Sequence, residues 1–169
     1  HGVRIMDNFI NKHEGEGILL RGGAHHNLIK HNIISRNGGD GIRVQGQNTL
    51  YNRITDNSIT RNLGLGIRLD GGNGMISAPV ITNMSHRRGA ITGTVEAPDG
   101  SIVEVFADPD GEGEKLIGVS VVQGGGFLVR GEIPSGYEAS AVVIHPDGNT
   151  SEFGPAWATP KRASVVYTY

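Results

Sequence analysis

Apolar positions in the first 74 residues fall two apart in three places: Ile18/Leu20, Ile42/Val44 and Ile67/Leu69. That spacing is strand alternation with one face turned inward. Upstream of each pair lie two further apolar columns, Ile5/Ile29/Ile54 and Ile10/Ile34/Ile59. In the same register come Asn8, Asn32 and Asn57, separated by 24 and 25 residues, then Gly17/Gly41/Gly66 and Gly22/Gly46/Gly71. The extra residue of the second period falls in the loop 46–52, where an insertion costs little. No 3.6-residue period survives these glycines and asparagines, so a helical reading fails. A unit of about 24 residues with three short strands predicts one coil of a parallel β-helix, and residues 1–74 predict about three coils.

In such a stack, equivalent residues lie above one another at about 4.8 Å. The isoleucine columns then fill the interior, and the glycine columns mark corners that need positive φ or close chain approach. Asn8, Asn32 and Asn57 are expected to form a structural ladder that passes amide hydrogen bonds from coil to coil and satisfies turn backbone groups. His13 stands where Asn37 and Asn62 stand, which weakens a second asparagine column in the outermost coil.

From residue 75 the period disappears. Runs at 79–82, 90–97, 101–108, 116–123, 127–133 and 139–145 are strand-like, and Gly, Pro and Asp turn signals separate them. Strands at this spacing predict an antiparallel β-sandwich over 75–154. A tail, 155–169, follows; its run Val165–Tyr169 is suited to pairing with a sheet edge in this molecule or a neighbour.

The pattern N-x-I-x-x-N-x-x-x-G-I-x-[LV] resembles the parallel β-helix repeats of bacterial secreted and surface proteins, in the pectate-lyase-like superfamily. The segments 91–118 and HPDGNTSEFG (145–154) are similar to the Ig-like domain that follows such repeats. The resemblance implies an all-β chain, a right-handed parallel β-helix and then an Ig-like sandwich, in a protein that works outside the cell or on its surface. It implies an architecture and hardly an activity.

Composition narrows this picture. With 27 glycines, 5% aromatic residues and no cysteine, the chain has neither a thick aromatic core nor disulfides or thiolate metal sites. A net charge of −2 gives no electrostatic case for nucleic acid or membrane binding, and no apolar run approaches a bilayer span. The charge is nonetheless divided: residues 1–74 carry net +3 and residues 75–169 net −5, which places a boundary near 72–76. The chain opens partway into its first repeat and reads as the C-terminal piece of something longer.

Three groups of residues are candidates for chemistry. Lys12, Arg36 and Arg61 fall in one column and Arg43 and Arg68 in another, both outward by alternation; stacked cations could track an acidic polysaccharide. Asp108, Asp110, Glu112 and Glu114 place four carboxylates in one hairpin; this offers oxygens to Ca²⁺ or makes a solvated acidic turn, and the twelfth-position Glu of an EF-hand loop is missing. His1, His13, His25, His26 and His31 cluster early without a metal-ligand spacing, and Asp7 and Asp56 share a column with His31, while Glu16 and Asp40 share another. No residue is assigned a catalytic role, and no cofactor is expected apart from the candidate Ca²⁺. The expected function is a non-catalytic structural, adhesive or assembly module. The alternative is the carbohydrate-binding end of a β-helix polysaccharide lyase or hydrolase whose active coils lie upstream. Expected partners are a polysaccharide or other copies of the chain, joined through the first coil or the tail.

Overall fold

In the computed structural model, which describes residues 1–85 and 88–157, nine short strands wind the first part of the chain into three coils. The first coil holds β1 (Arg4–Met6), β2 (Phe9–Asn11) and β3 (Ile18–Leu20). The second holds β4 (Leu28–Lys30), β5 (Ile33–Ser35) and β6 (Ile42–Gln45), and the third β7 (Arg53–Thr55), β8 (Ser58–Thr60) and β9 (Ile67–Asp70). They pair in three parallel sheets, β1-β4-β7, β2-β5-β8 and β3-β6-β9.

The apolar columns set the register. Ile5, Ile29 and Ile54 are direct partners, as are Ile10, Ile34 and Ile59, and Ile18, Ile42 and Ile67. Ile29, Ile34, Ile42 and Val44 of the middle coil are fully buried because a coil covers each side, whereas Ile5 and Ile10 of the first coil are only partly buried. The glycine column Gly17/Gly41/Gly66 marks close approach: a Cβ on Gly41 would lie 2.6 Å from the Gly66 carbonyl oxygen and from a methyl of Ile59. No side chain fits there without moving a neighbouring coil.

A 3-10 turn, Asn73–Met75, leaves the last coil. Six longer strands follow: β10 (Val80–Ser85), β11 (Ala90–Thr94), β12 (Ile102–Asp108), β13 (Lys115–Val121), β14 (Gly126–Arg130) and β15 (Glu138–Ile144). They form two antiparallel sheets, β10-β11-β14 and β13-β12-β15, each overlapping the runs predicted from sequence. The predicted tail strand, 165–169, lies outside the described residues.

Strands β12 and β15 of the second sheet are buried on both faces. Val103, Val105 and Ala107 of β12, with Ala139, Ala141 and Val143 of β15, line the sandwich core. The alternate positions Phe106 and Val142 join the core of the β-helix instead, with Leu116 and Phe153 packed against it. Phe106 meets Phe153 edge to face, with ring centroids 5.5 Å apart. One apolar core therefore crosses the boundary that charge and periodicity mark in the sequence. Phe106→Ala is expected to cost about 3–4 kcal/mol of unfolding free energy. Urea denaturation checks this, and a loss below about 1 kcal/mol would show that the docking face is not part of the core.

Candidate functional site

Three side-chain ladders run along the corners of the coils. In the first, Asn8 donates from its backbone and amide nitrogens to Asn32 Oδ1, both at 3.0 Å. Asn32 does the same to Asn57 Oδ1 at 3.0 and 2.9 Å, and Asn57 Nδ2 donates to the Ile29 and Thr55 carbonyls at 2.9 Å. In the second, the His13 N–H donates to Asn37 Oδ1 at 3.2 Å, and Asn37 donates to Asn62 Oδ1 at 3.1 and 2.8 Å. A third ladder escapes sequence reasoning. Val3 N–H donates to Asn27 Oδ1 (2.9 Å), Asn27 Nδ2 to Asn52 Oδ1 (2.8 Å), and Asn52 N–H to Asn73 Oδ1 (3.1 Å). Its signal is broken at both ends: valine stands in the first coil, and Asn73 lies 21 residues after Asn52 instead of a full period.

At the last coil the same donors meet oxygens supplied by the sandwich. Asn62 donates to both carboxylate oxygens of Glu112, at 2.9 Å from its backbone and 2.6 Å from its amide, so Glu112 is the final rung of the second ladder. Glu104 accepts from the Asp56 N–H at 3.0 Å and from the Thr55 hydroxyl. Thr150 Oγ1 accepts from Ile54 N–H (2.9 Å), Asn149 Oδ1 from Tyr51 (2.6 Å), Glu152 Oε1 from Leu69 (2.7 Å) and Asp110 Oδ2 from Arg61 (3.2 Å). The Gly113 carbonyl accepts from Ile59 N–H at 3.0 Å. These groups stand where a fourth coil would place its carbonyls and asparagines. Where these contacts are buried, as at Ile54 and Asn62, an N–H left unpaired would cost about 1–3 kcal/mol.

Enclosure perturbs the capping acids. Burial pushes Glu112 from 4.5 up to about 7, against the hydrogen bonds from Asn62 and reinforced by the charges of Asp110 and Asp108. Burial also raises Glu104, resisted by the Asp56 N–H and the Thr55 hydroxyl. Asp108 is raised by burial too, resisted by the N–H groups of Gly113, Gly111 and Asp110 that its carboxylate gathers to shape the hairpin.

The hairpin is thus not the solvated acidic turn weighed from the sequence. Asp108 and Glu112 are buried, and Asp108, Asp110 and Glu112 all accept from protein N–H groups. Glu114 sits apart, beside a depression shared with His31 and Asp56. Among the described residues, no group of three or more His, Cys, Asp or Glu side chains is arranged to hold a metal ion. The sequence hid the role of Asp110 and Glu112 because their partners, Arg61 and Asn62, lie in the coils.

The cation columns divide. Arg43 bridges Glu16 (Nη1–Oε1, 3.1 Å) and Asp70 (Nη2–Oδ2, 2.7 Å), and Arg68 Nε lies 2.7 Å from Asp40 Oδ2. The hydrogen bonds from Arg43 and Gln45 hold the Asp70 carboxyl below its usual range. Lys12, Arg36 and Arg61 form no ion pair among the described residues. Of the stacked acids, Glu16 and Asp40 are each tied to an arginine, and His31 lies between Asp56 (2.6 Å) and Asp7 (3.6 Å). At the first coil, His1 stacks on His25 with ring centroids 4.8 Å apart, and the Nδ1 atoms of His25 and His26 lie 2.8 Å apart.

Residues 1–83 match the sequence model of a family described as Periplasmic copper-binding protein (NosD). The matched span takes in all three coils, the 3-10 turn and the start of β10, and it ends inside the first strand of the sandwich. No curated protein matches the chain. Among the described residues, no helix is long and apolar enough to cross a membrane.

Proposed function

We propose that this chain is a non-catalytic structural module of an extracytoplasmic β-helix protein: its sandwich closes one end of the coil stack, and its open first coil joins a further layer. The observation that carries this is the closure of the last coil: side chains of the sandwich take up its axial N–H donors. Similarity to a periplasmic family supports the location. The strand orders β10-β11-β14 and β13-β12-β15 support reading the sandwich as Ig-like, with its A, B and E strands in one sheet and C and F in the other.

Copper, named in the family's description, is not carried over. Among the described residues, no group of three or more His, Cys, Asp or Glu side chains is placed to hold a metal ion, and the His25–His26 pair is the one close contact between imidazole nitrogens. The second reading, a carbohydrate-binding end of a polysaccharide lyase or hydrolase with its active coils elsewhere, is favoured by the unpaired cation column.

The assembly reading has a direct test at the open edge. Leu28 and Ile33 donate their N–H groups back to the Val3 and Asn8 carbonyls. In the same register, the Arg4 and Phe9 N–H groups point away from the stack. Phe9→Pro removes one of these donors without breaking a bond inside the protein, and proline on an exposed edge blocks strand addition. Sedimentation is expected to show concentration-dependent association of the wild-type chain that Phe9→Pro abolishes at an unchanged melting temperature. A wild-type chain that stays monomeric at high concentration would count against the proposal.

A further inference from the structure

We infer that the corner formed by Lys12, Arg36 and Arg61 binds a linear acidic polysaccharide, with one anionic sugar facing each coil. This goes beyond the assembly reading and uses a different surface, so either can fail alone. The three side chains occupy equivalent positions in consecutive coils, which sets their spacing near 4.8 Å along the stack. All three residues are exposed. None has an ion-pair partner among the described residues, whereas Arg43 and Arg68 are both neutralised by carboxylates. A row of unpaired cations at one fixed pitch selects an extended polymer with charges at a similar pitch over a single anion.

The surface beside the row is concave. The cations border an open depression of about 390 Å³ that Asn37, Gly38 and Leu63 also line. At Gly38 a Cβ would overlap the Glu14 carbonyl, so this corner must lack a side chain there. Leu63 is 85% exposed and offers an apolar platform to the carbon face of a sugar ring, a contact that a bare phosphate polymer would not use. Glu14 also borders the depression, and the Asp110 carboxylate accepts from the Arg61 backbone.

The backbone adds a second reason. Lys12, Arg36 and Arg61 have φ of 56°, 56° and 59°, a left-handed conformation that asparagine or glycine adopts more easily than a long cationic residue. That preference also supplies a clean probe. The triple variant Lys12→Asn, Arg36→Asn, Arg61→Asn removes the charges while suiting the corner backbone, so the fold is expected to be kept.

Calorimetry of the full chain with hexagalacturonate at low salt is expected to show binding that weakens by about tenfold or more in the triple variant and falls with rising salt. The fully methyl-esterified hexamer, which keeps the sugar chain and loses the charges, is expected not to bind. Unchanged affinity in a triple variant with an unchanged urea midpoint would overturn the assignment. So would equal binding of the esterified hexamer, or of a single-stranded oligonucleotide of matched charge.

Discussion

Asn32→Ala is expected to remove about 3–4 kcal/mol of unfolding free energy, and Asn8→Ala about 1 kcal/mol. The two residues share one ladder and one chemistry; burial separates them. Asn32 is 1% exposed, accepts two bonds from Asn8, and its amide reaches the Ile5 and Lys30 carbonyls and Asn57 Oδ1. Its removal leaves several of these groups dry and unpaired, while truncation of the exposed Asn8 lets water replace most of what is lost. Asn32→Asp is a sharper probe. It is isosteric, but it turns an oxygen toward three acceptors and buries a charge with no cation beside it, so its cost should exceed that of alanine. Equilibrium urea unfolding of the three variants measures the gradient. Equal losses for Asn8→Ala and Asn32→Ala would mean that the ladder does not gain strength toward the interior.

The second large effect is a pH dependence carried by the cap. Glu112 binds its proton more tightly in the folded chain, with a pKa of about 7 against 4.5. Between those values the native state holds more protons than the unfolded state, so stability falls as pH rises through the window. The stabilisation is complete below about pH 4.5 and is lost by about pH 7, a span of about 2–3 kcal/mol. Glu112→Gln removes the titrating group and keeps an oxygen for the Asn62 N–H. Urea unfolding at pH 5 and pH 8 is expected to show a marked slope in the wild type and a reduced one in the variant. Glu104 and Asp108, also raised by burial, maintain the residual slope with the same sign. Identical slopes in both proteins would remove Glu112 from the account. The physical point is that the cap closes the coil stack with carboxylates. A carboxylate is the better acceptor for two N–H donors, but burying its charge at this interface raises the pKa of Glu112 and Glu104.

Some of this was legible in the residues alone. In a coil stack, spatial neighbours are sequence neighbours at a fixed offset, so Ile5/Ile29/Ile54 and Asn8/Asn32/Asn57 can be aligned by counting. The interior, the glycine corners, the first ladder and the outward cation columns all follow from that offset. The sandwich strands were legible for a more local reason, since Asp-Gly and Pro-containing turns bracket apolar runs of suitable length. The third ladder was not, because Val3 interrupts its column and Asn73 sits off period.

What only the tertiary structure decided is everything that joins the two parts. Glu104, Glu112 and Glu152 meet Asp56, Asn62 and Leu69 across separations of 48, 50 and 83 residues, and no period relates those numbers. Strands β12 and β15 look like ordinary core strands; that their second face covers the open coil depends on how the sheet is laid down. The same holds for the cations. Sequence places Arg36 and Arg43 alike on the outside of one coil, but Arg43 lies between Glu16 and Asp70 while Arg36 has no ion-pair partner among the described residues. A repeat determines contacts that recur once per coil, because stacking makes them local. A contact that occurs once, between surfaces brought together by the whole chain, leaves no pattern to count.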